Sequence, residues 1–323
     1  MQLIQAGIVG GAGYTGGELI RILINHPNVN IAFIHSNSQV GKPVASVHTD
    51  LFGDTDLNFE GELSTDIDVL FLCVGHGDAR TFLEQNEIPD SVKIIDLSQD
   101  FRPRANVREF VYGLPELNRE AIQNAKNIAN PGCFATAIQL ALLPLANAQQ
   151  LNEDVHITAL TGSTGAGQSL SATTHFSWRN NNISVYKAFE HQHLNEIGES
   201  IQQAQSTFEK DIHFVPQRGD FARGIFASIY LKSDLTEEEA QAIFTNYYAA
   251  HPFTHVSPKN IDLKQVVNTN KCLVHVDKFG NKAVITSTID NLLKGAVGQA
   301  VQNMNLMFGI DECAGLRLKA CAF

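Results

Sequence analysis

A glycine-rich turn, Gly7-x-x-Gly10-x-x-Gly13, follows the first apolar run of the chain and leads directly into an amphipathic stretch. The run from Leu3 to Gly10 predicts a buried strand, and the apolar spacing from about Tyr14 to Asn25 predicts a helix. Glycine in such a turn lets a pyrophosphate approach backbone N–H groups at the helix N-terminus. Ordinary α/β turns also carry glycines, and this spacing is less specific than G-x-G-x-x-G. Because the turn follows the first strand, we expect dinucleotide binding at Gly10, Gly11 and Gly13.

Apolar runs and helical stretches alternate through the first part of the chain. Three further strands and one helix are predicted there: Asn30–His35, Asp68–Cys73, Val92–Asp96 and the helix Ala79–Gln85. This alternation is typical of a doubly wound parallel sheet. Beyond residue 150 the chain has longer, alternating β-rich runs, which predict a mostly antiparallel sheet with two helices: Val155–Thr161, Phe226–Leu231, Leu273–Asp277, Lys282–Ile289, and the helices Leu194–Phe208 and Thr236–Ala249. We therefore expect an α/β Rossmann domain followed by an α+β domain.

The end of the chain is expected to return to the first domain. A last helix, about Leu292 to Phe308, carries small residues that permit close packing. A length of 323 residues also suits two domains. We place the cofactor-binding domain at residues 1–130 plus about 292–323, and the catalytic and oligomerisation domain at about 131–291.

Charge and composition exclude several classes of function. The net charge of −11 argues against a nucleic-acid partner or a membrane surface. No apolar run approaches the roughly 20 residues of a membrane span, and the N-terminus lacks signal-peptide features. We expect a soluble cytoplasmic protein. The five cysteines are an odd number without C-x-x-C spacing, which argues against a disulfide framework or a zinc site.

One cysteine lies at the start of a predicted helix, in Asn130-Pro131-Gly132-Cys133. Pro131 suits a helix start, and the apolar run that follows continues the helix to Pro144. Backbone N–H groups and the positive end of the helix dipole would stabilise a thiolate and hold an oxyanion. A buried structural cysteine is the commoner explanation of such a residue taken alone. The rest of the sequence has to decide between the two.

The end of the second strand determines which nicotinamide cofactor fits. An acidic residue there would bind the ribose 2′-hydroxyl of NAD. This chain has His35-Ser36-Asn37-Ser38 instead, with Lys42 shortly after. Hydroxyls and a nearby cation suit a 2′-phosphate. We therefore expect NADP(H), with Ser36 and Ser38 among the residues that bind it.

Two histidines, His191 and His193, precede a predicted helix. In an extended segment their side chains would point the same way. A general acid/base beside Cys133 is the interpretation we favour, because histidine titrates near neutral pH. A structural pair, with one histidine capping the helix, is the alternative. A metal site is not expected, because no Cys, His or Asp cluster accompanies them at a ligand spacing.

Anion-binding candidates lie in a second glycine-rich loop and at three arginines. The loop Thr161–Ser169 follows a strand and includes Ser163 and Gly165. Its backbone N–H groups and hydroxyls could cradle a phosphate, although a plain flexible turn fits its composition equally well. Guanidinium groups bind carboxylate or phosphate bidentately, so the arginines are candidate clamps: Arg102, Arg218 and Arg223.

Taken together, these segments resemble the N-acetyl-γ-glutamyl-phosphate reductase family over nearly the whole chain. Five stretches carry the resemblance: Gly7–Gly16, Ile95–Arg102, Tyr112–Leu117, Asn130–Thr136 and Ile289–Ala300. The cysteine segment and the closing segment are the specific ones, and the glycine turn is not.

The resemblance implies an NADP-dependent enzyme of arginine biosynthesis with a semialdehyde-dehydrogenase-like fold, usually a homodimer or homotetramer. Cys133 would be the nucleophile, and His191 or His193 the acid/base. The substrate would be a small-molecule acyl phosphate, reduced to the semialdehyde through a cysteine thioester. The remaining contacts implied are Tyr14, Thr15, Gly16 and Asn291 to the cofactor, and Arg102, Asn130, Ser163, Gly165, Arg218 and Arg223 to the substrate.

Two stretches depart from the common family pattern. Gln168 stands where many members have arginine, and the segment 216–224 also differs. Both departures leave the N-acyl group open between acetyl, succinyl and a related acyl group. The competing interpretations are an aspartate-semialdehyde dehydrogenase, a lysine-pathway reductase acting on a carrier-bound substrate, or a non-enzymatic NADP-binding regulator.

Overall fold

The computed structural model describes residues 2–103 and 109–321, and these fold into two units. The first unit runs to Pro131 and resumes at Ala296–Arg317. The second takes Gly132–Gly295 and the chain from Leu318 onward. The last described residues therefore lie in the second unit, where we had placed them in the first: Cys321 N–H donates to the Val267 carbonyl at 3.3 Å.

A six-stranded, wholly parallel sheet forms the centre of the first unit. Its spatial order is β2-β1-β3-β4-β6-β5. The strands are β1 Ile4–Val9, β2 Val29–His35, β3 Val69–Leu72, β4 Lys93–Asp96, β5 Phe110–Tyr112 and β6 Asn127–Ala129; the helices between them are α1 Tyr14–Leu23, α2 Asp78–Gln85 and α3 Pro115–Gln123. Because β1 lies between β2 and β3, the strand order reverses at the carboxyl end of β1. Open α/β sheets bind ligands at such a point, and the glycine turn is located there.

The second unit is built on a seven-stranded mixed sheet of order β11-β12-β13-β10-β7-β9-β8. Its strands are β7 Val155–Thr161, β8 Ser184–Val185, β9 Ile212–Arg218, β10 Ile225–Lys232, β11 Thr254–Val256, β12 Cys272–Phe279 and β13 Lys282–Ile289; its helices are α4 Cys133–Asn147, α5 Phe176–Arg179, α6 His193–Ala204 and α7 Glu237–Tyr248. Four strand pairs are antiparallel, while β7 pairs with β9 and β11 with β12 in parallel. The expected α+β character is confirmed. Strand β9, which follows the two histidines in sequence and ends at Arg218, was not predicted.

Helix α4 corrects our prediction that the helix stops at Pro144, because it continues through Pro144 to Asn147. A proline inside a helix removes one N–H donor and so leaves the carbonyl four residues earlier without its helical partner. That carbonyl belongs to Leu140, and the Tyr248 hydroxyl of α7 donates to it. A side chain distant in sequence thus makes the buried proline tolerable.

Tyr248→Phe should therefore destabilise the second unit. The ring stays, but the Leu140 carbonyl loses a donor in a buried setting, which costs about 1–3 kcal/mol. Denaturant unfolding followed by circular dichroism measures the loss. Tyr230, which is 50% exposed on β10, provides the control: Tyr230→Phe should change the unfolding free energy little. Equal effects from the two substitutions would contradict the role given to Tyr248.

The C-terminal part of the chain supplies the last helix of the first unit. A π-helical turn at Leu293–Val297 leads into α8, Gly298–Met307. Helix α8 packs on α1 and α3. Its polar face is buried: the Asn303 amide donates to the Gly113 carbonyl at 2.8 Å, and the Asn305 amide oxygen lies 3.1 Å from His26 Nε2. Among the described residues, no helix is long and apolar enough to cross a bilayer.

Candidate active site

Cys133 is the first residue of α4, as predicted. The residue before it, Gly132, is extended at φ −70° and ψ 152°, and no side chain caps the helix. The thiol is half-buried and is not part of a disulfide. Gly295 packs against it so closely that a methyl group there would lie 2.9 Å from Cys133 Cβ. The cysteine is therefore held firmly at the positive end of the helix.

Glu196 connects the start of α4 to the histidines, and it was not among the residues predicted from the sequence. Its Oε2 accepts a hydrogen bond from Gly132 N–H at 2.9 Å, and its Oε1 lies 3.9 Å from His193 Nε2. The side chain is buried at 8% exposure. Residues three apart on a helix are neighbours, so the His193-x-x-Glu196 spacing on the predicted helix was a signal that could have found this carboxylate.

The two histidine rings lie together at the start of α6, although the segment is not extended as we assumed. Gln192 between them is helical, and the ring centroids of His191 and His193 are 4.5 Å apart in an edge-to-face arrangement. Both are buried. His191 Nδ1 accepts a hydrogen bond from His193 N–H at 3.2 Å, which assigns the ring proton to Nε2.

His191 is an uncharged histidine near neutral pH. Burial, with a smaller contribution from the Lys187 charge, lowers the pKa of His191 to about 4, against an opposing effect of Glu196. Its ring also meets the edges of Phe134 and Phe214, with centroids 5.5 Å away in each case. His191 thus fits the alternative hypothesis, in which one of the two histidines has a structural role at the start of the helix. His193 is the histidine with a carboxylate neighbour.

Tyr186 and Arg218 form the next part of the surroundings. The Arg218 guanidinium carbon lies 4.8 Å from the Tyr186 ring centroid, and that ring is 5.8 Å from His191. Burial and the charge of Cys133 raise the pKa of Tyr186 to about 12, while Arg218 acts in the opposite direction. The phenol therefore stays protonated, and Cys133 and Arg218 share one electrostatic environment. Tyr186 was not predicted from the sequence.

In the second glycine loop, for which a phosphate cradle and a plain turn were equally open, several backbone N–H groups bond within the protein. The N–H groups of Gly162, Ser163 and Thr164 donate to carbonyls of residues 221–224 at 2.8–3.1 Å, and Gly165 N–H bonds to the Gly162 carbonyl at 3.2 Å. These amides stabilise the loop against its neighbour. The Ser163 side chain is the polar group that this part of the loop can still offer to a ligand.

Arg223 and Asn291 are both engaged within the second unit. Arg223 makes a bidentate ion pair to the fully buried Asp290, with distances of 3.1 and 3.2 Å. The Asn291 amide accepts from Gly224 N–H at 2.6 Å and donates to the Thr164 hydroxyl at 3.0 Å. These contacts tie three loops together. The ligand contacts expected of Arg223 and Asn291 stay predictions.

Arg102 and Asn130 are buried in the first unit and bond to protein groups. Arg102 donates to the Asn130 carbonyl at 2.9 Å and to the Leu97 carbonyl at 3.0 Å. The Asn130 amide donates to the Ala296 carbonyl at 2.9 Å and accepts from Asn303 at 3.1 Å. Both side chains thereby hold the segment that leads to Pro131, and their substrate contacts stay predictions.

The glycine turn of the first unit has the shape that a dinucleotide needs. Gly10 has φ +81°, and the N–H groups of Gly10 and Gly11 both donate to the His35 carbonyl at 3.1 Å. A methyl group at Gly16 would lie 2.6 Å from the Gly10 carbonyl oxygen. Helix α1 then begins at Tyr14 without a side-chain cap. A methyl group at Gly13, by contrast, would meet no protein atom nearer than 3.7 Å, which leaves room for a phosphate.

The end of β2 presents polar groups of different accessibility. Ser36 is 6% exposed, and its N–H donates to the Glu60 carbonyl at 3.1 Å. Ser38 and Lys42 are exposed, and Lys42 Nζ donates to the Gln39 side chain at 3.0 Å. Of the two predicted serines, Ser38 is thus the accessible one. Tyr14 is 39% exposed at the start of α1, and Thr15 is half-buried behind it.

Within the described residues, a group that could ligate a metal occurs at Asp154, Asp211 and His213. It includes neither His191 nor His193. Two of its three members are exposed carboxylates, and such clusters are common on protein surfaces.

Comparison with known proteins identifies the family. Residues 5–125 match the model described as "Semialdehyde dehydrogenase, NAD binding domain", and residues 133–291 match "Semialdehyde dehydrogenase, dimerisation domain". Proteins named N-acetyl-gamma-glutamyl-phosphate reductase from Christiangramia forsetii and Bacteroides fragilis are 58% and 59% identical, each alignment covering 99% of this chain and 100% of the relative. The chain belongs to the N-acetyl-gamma-glutamyl-phosphate reductase family. It is thus an oxidoreductase with the NAD-binding domain of the semialdehyde dehydrogenases, and the resemblance found in the sequence is confirmed.

Solved structures share the fold of this N-acetyl-gamma-glutamyl-phosphate reductase family member at low sequence identity. Aspartate semialdehyde dehydrogenase II of Vibrio cholerae, complexed with ASA, matches with a TM-score of 0.74 at 17% identity, covering 96% of this chain and 99% of that one. The Candida albicans aspartate semialdehyde dehydrogenase with NADP matches with a TM-score of 0.67 at 15% identity, covering 95% and 99%. The predicted fold class is confirmed, and the aspartate-semialdehyde enzymes are structural relatives.

Proposed function

We propose that the protein reduces an N-acyl-γ-glutamyl phosphate to the N-acyl-glutamate semialdehyde, with release of phosphate, in arginine biosynthesis. The observation that carries the proposal is Cys133 at an uncapped helix N-terminus with the His193–Glu196 pair beside it. The names of the relatives, which match over their full length, support N-acetyl as the acyl group. A non-enzymatic regulator would have no need of this arrangement.

The chemistry begins at the thiolate of Cys133, which attacks the γ-carbonyl carbon. The carbon–oxygen bond to phosphate breaks, phosphate leaves with the electron pair, and a thioester remains on the cysteine. NADPH, when bound, supplies the hydride that reduces this thioester. The oxygen of the resulting thiohemiacetal takes a proton from the histidine. Return of that proton to the histidine accompanies cleavage of the carbon–sulfur bond, which releases the semialdehyde and regenerates the thiolate.

We assign the acid/base role to His193. Glu196 Oε1 lies 3.9 Å from His193 Nε2, which places a carboxylate beside this ring. His191 is buried and uncharged near neutral pH, so it has no proton to give as an imidazolium there. Its contact with the backbone of His193 supports a positioning role, since it fixes the first residue of α6.

The reaction run in reverse tests the proposed function. Purified protein is given NADP and phosphate with N-acetyl-glutamate semialdehyde or N-succinyl-glutamate semialdehyde, and NADPH is followed by absorbance. We expect phosphate-dependent NADPH formation with at least one of the two. Aspartate semialdehyde is the comparison substrate, and a preference for it would overturn the proposal.

We propose NADP(H) as the cofactor, bound at the glycine turn with Ser38 and Lys42 toward the 2′-phosphate. Both side chains are exposed just after β2, and the chain has no acidic residue at that point to favour NAD. The solved relative that contains NADP supports the choice.

Gly13→Ala tests the cofactor site without disturbing the fold. Gly13 has φ −79° and ψ 173°, which alanine also adopts, and its methyl group would touch protein atoms at ordinary distance. A phosphate approaching the helix N-terminus would meet that methyl group. We expect NADPH affinity, measured by isothermal titration calorimetry, to fall at least tenfold with an unchanged melting temperature. The control is Gly198→Ala, where no atom lies within 4 Å; unchanged binding in the Gly13 variant would contradict the site.

We propose a homo-oligomer assembled through the second unit, either a homodimer or a homotetramer. The description of its family domain supports this. Helix α4 packs on strands β10, β12 and β13, while Tyr230 and Phe279 on β10 and β12 are 50% and 62% exposed. Such aromatic exposure on sheet strands suits a second copy of the chain. Sedimentation equilibrium tests it, because a mass near 35.4 kDa would mean a monomer.

A further inference from the structure

Arg179 and Arg218 of the second unit are two positively charged side chains. Among the residues that the structure describes, neither forms an ion pair with a carboxylate. Arg179 is 7% exposed at the end of α5. Its terminal nitrogens donate to the carbonyls of Arg218 and Thr173 at 2.9 and 3.2 Å. Burying an arginine on neutral acceptors leaves its charge uncompensated.

Both guanidinium groups also have a buried Nε that makes no hydrogen bond. Buried polar atoms without partners are rare in native proteins and call for an explanation. Burial and the charge of Arg218 lower the pKa of Arg179, with Asp220 opposing. Asp220 is exposed and already accepts a hydrogen bond from Asn181 N–H at 2.6 Å. The pair is therefore a concentration of positive charge with unused donors.

The location of the pair connects it with the nucleophile. Arg218 stacks on Tyr186, and Tyr186 responds to the charge of Cys133 and contacts the His191 ring. Arg179 is bonded to the backbone of Arg218 and stacks on Trp178 at 4.7 Å. Arg179 is thus joined to Arg218, whose guanidinium lies over the Tyr186 ring.

We propose that Arg179 and Arg218 together form a subsite that binds an oxyanion of the substrate, either a carboxylate or the phosphate group. Arginine pairs suit such groups because their donors match two oxygens at once. This inference rests on the proposed function for the identity of the substrate. The oxyanion has three sources in that substrate: the phosphate, the carboxylate of the glutamate backbone, and a carboxylate at the far end of the N-acyl chain.

The chain contains a built-in reporter for this subsite. Trp178 is its only tryptophan, it is 37% exposed, and the Arg179 guanidinium lies over its ring. An anion that engages Arg179 should alter the tryptophan fluorescence. Wild-type protein is titrated with inorganic phosphate, N-acetylglutamate and N-succinylglutamate at constant ionic strength, with sodium chloride as the comparison salt.

A saturable change with at least one of these anions supports the subsite, and the pattern identifies the source. A response to phosphate alone indicates that the subsite binds the phosphate group of the substrate. Equal responses to both N-acylglutamates indicate that it binds the carboxylate of the glutamate backbone. A stronger response to N-succinylglutamate indicates that it binds a carboxylate on the acyl chain. No saturable change with any of the three overturns the proposal. Since the titration needs no turnover, this result is independent of whether the reductase assay succeeds.

Substitutions separate the subsite from a merely structural pair. Arg218→Gln and Arg179→Gln should each weaken binding of the responsive anion at least tenfold. In the reverse assay they should raise the KM of the substrate that carries the same anionic group, phosphate or the N-acyl-glutamate semialdehyde, with little change in kcat. Arg317→Gln, at an exposed arginine, is the control. Arg179 also donates hydrogen bonds to two backbone carbonyls, so the folding of Arg179→Gln is checked by circular dichroism. If Arg179→Gln misfolds, Arg218→Gln alone decides the test. Unchanged anion affinity in a folded Arg218→Gln protein would refute the proposal.

Discussion

Cys133→Ala should abolish turnover, with kcat in the reverse assay falling by about 10⁴-fold or more, as removal of a covalent nucleophile commonly does. Alanine keeps the helix start and fits beside Gly295, so the second unit should remain folded. NADP affinity, which depends on the glycine turn of the other unit, should be unchanged. Stopped-flow absorbance measures the rate, and calorimetry measures the cofactor affinity.

The exposed thiol of Cys321 provides the matched control. Cys321→Ala should leave kcat within about twofold, since its sulfur accepts a hydrogen bond from Asn268 and takes part in no proposed step. Rapid labelling of Cys133 by iodoacetamide, blocked by the semialdehyde, is the accompanying chemical expectation. More than about one per cent of the wild-type rate in the alanine variant would rule out covalent catalysis at this cysteine.

His193→Asn should lower kcat by about 10²–10⁴-fold, the range usual for loss of a general acid/base. The substitution removes the proton that the thiohemiacetal oxygen needs, and it removes the ring nitrogen that lies 3.9 Å from Glu196. His191→Asn should cost much less, because the asparagine oxygen can still accept the hydrogen bond from His193 N–H. Comparing kcat of the two variants at pH 7, where His191 is uncharged in the wild type, measures the difference.

Glu196→Gln refines the same comparison. Glutamine keeps an oxygen for Gly132 N–H but removes the charge beside His193, so kcat should fall to a value between those of the two histidine variants. Two equal and mild losses in His191→Asn and His193→Asn would show that neither ring is the acid/base. A larger loss for His191→Asn would reverse the assignment.

Local sequence patterns were sufficient for the parts of the molecule that depend on near neighbours. The first strand, the glycine turn and α1 follow one another within 23 residues, and hydrophobic periodicity with glycine chemistry specifies them. Cys133 at the start of α4 followed from Pro131 in the same way. The strand β9 was missed because Pro216 lies within it, and proline argues against a strand interior.

Contacts between residues far apart in sequence account for the other failures. Pro144 looked like a helix end because its effect on the helical hydrogen bonds is local. The compensating hydroxyl of Tyr248 lies 108 residues from the Leu140 carbonyl that it contacts. The amides of Gly162, Ser163 and Thr164 looked available because the carbonyls of 221–224 that they contact belong to a distant loop. Arg179 had no distinguishing pattern, since an arginine is usually a surface residue until its burial is known.

The return of α8 to the first unit has a consequence for biosynthesis of the chain. Helix α8 packs on α1 and α3, and the Asn303 amide donates to the Gly113 carbonyl. Helices α1 and α3 are translated early and α8 near the end. The cofactor-binding unit therefore stays incomplete on the ribosome until almost the entire polypeptide has emerged. The main part of the second unit, Gly132–Gly295, lies before α8 in the sequence and can fold earlier. A nascent chain stopped near residue 290 would lack α8. The surfaces of α1 and α3 that pack on α8 would then be exposed, and chaperones or proteases would act on them.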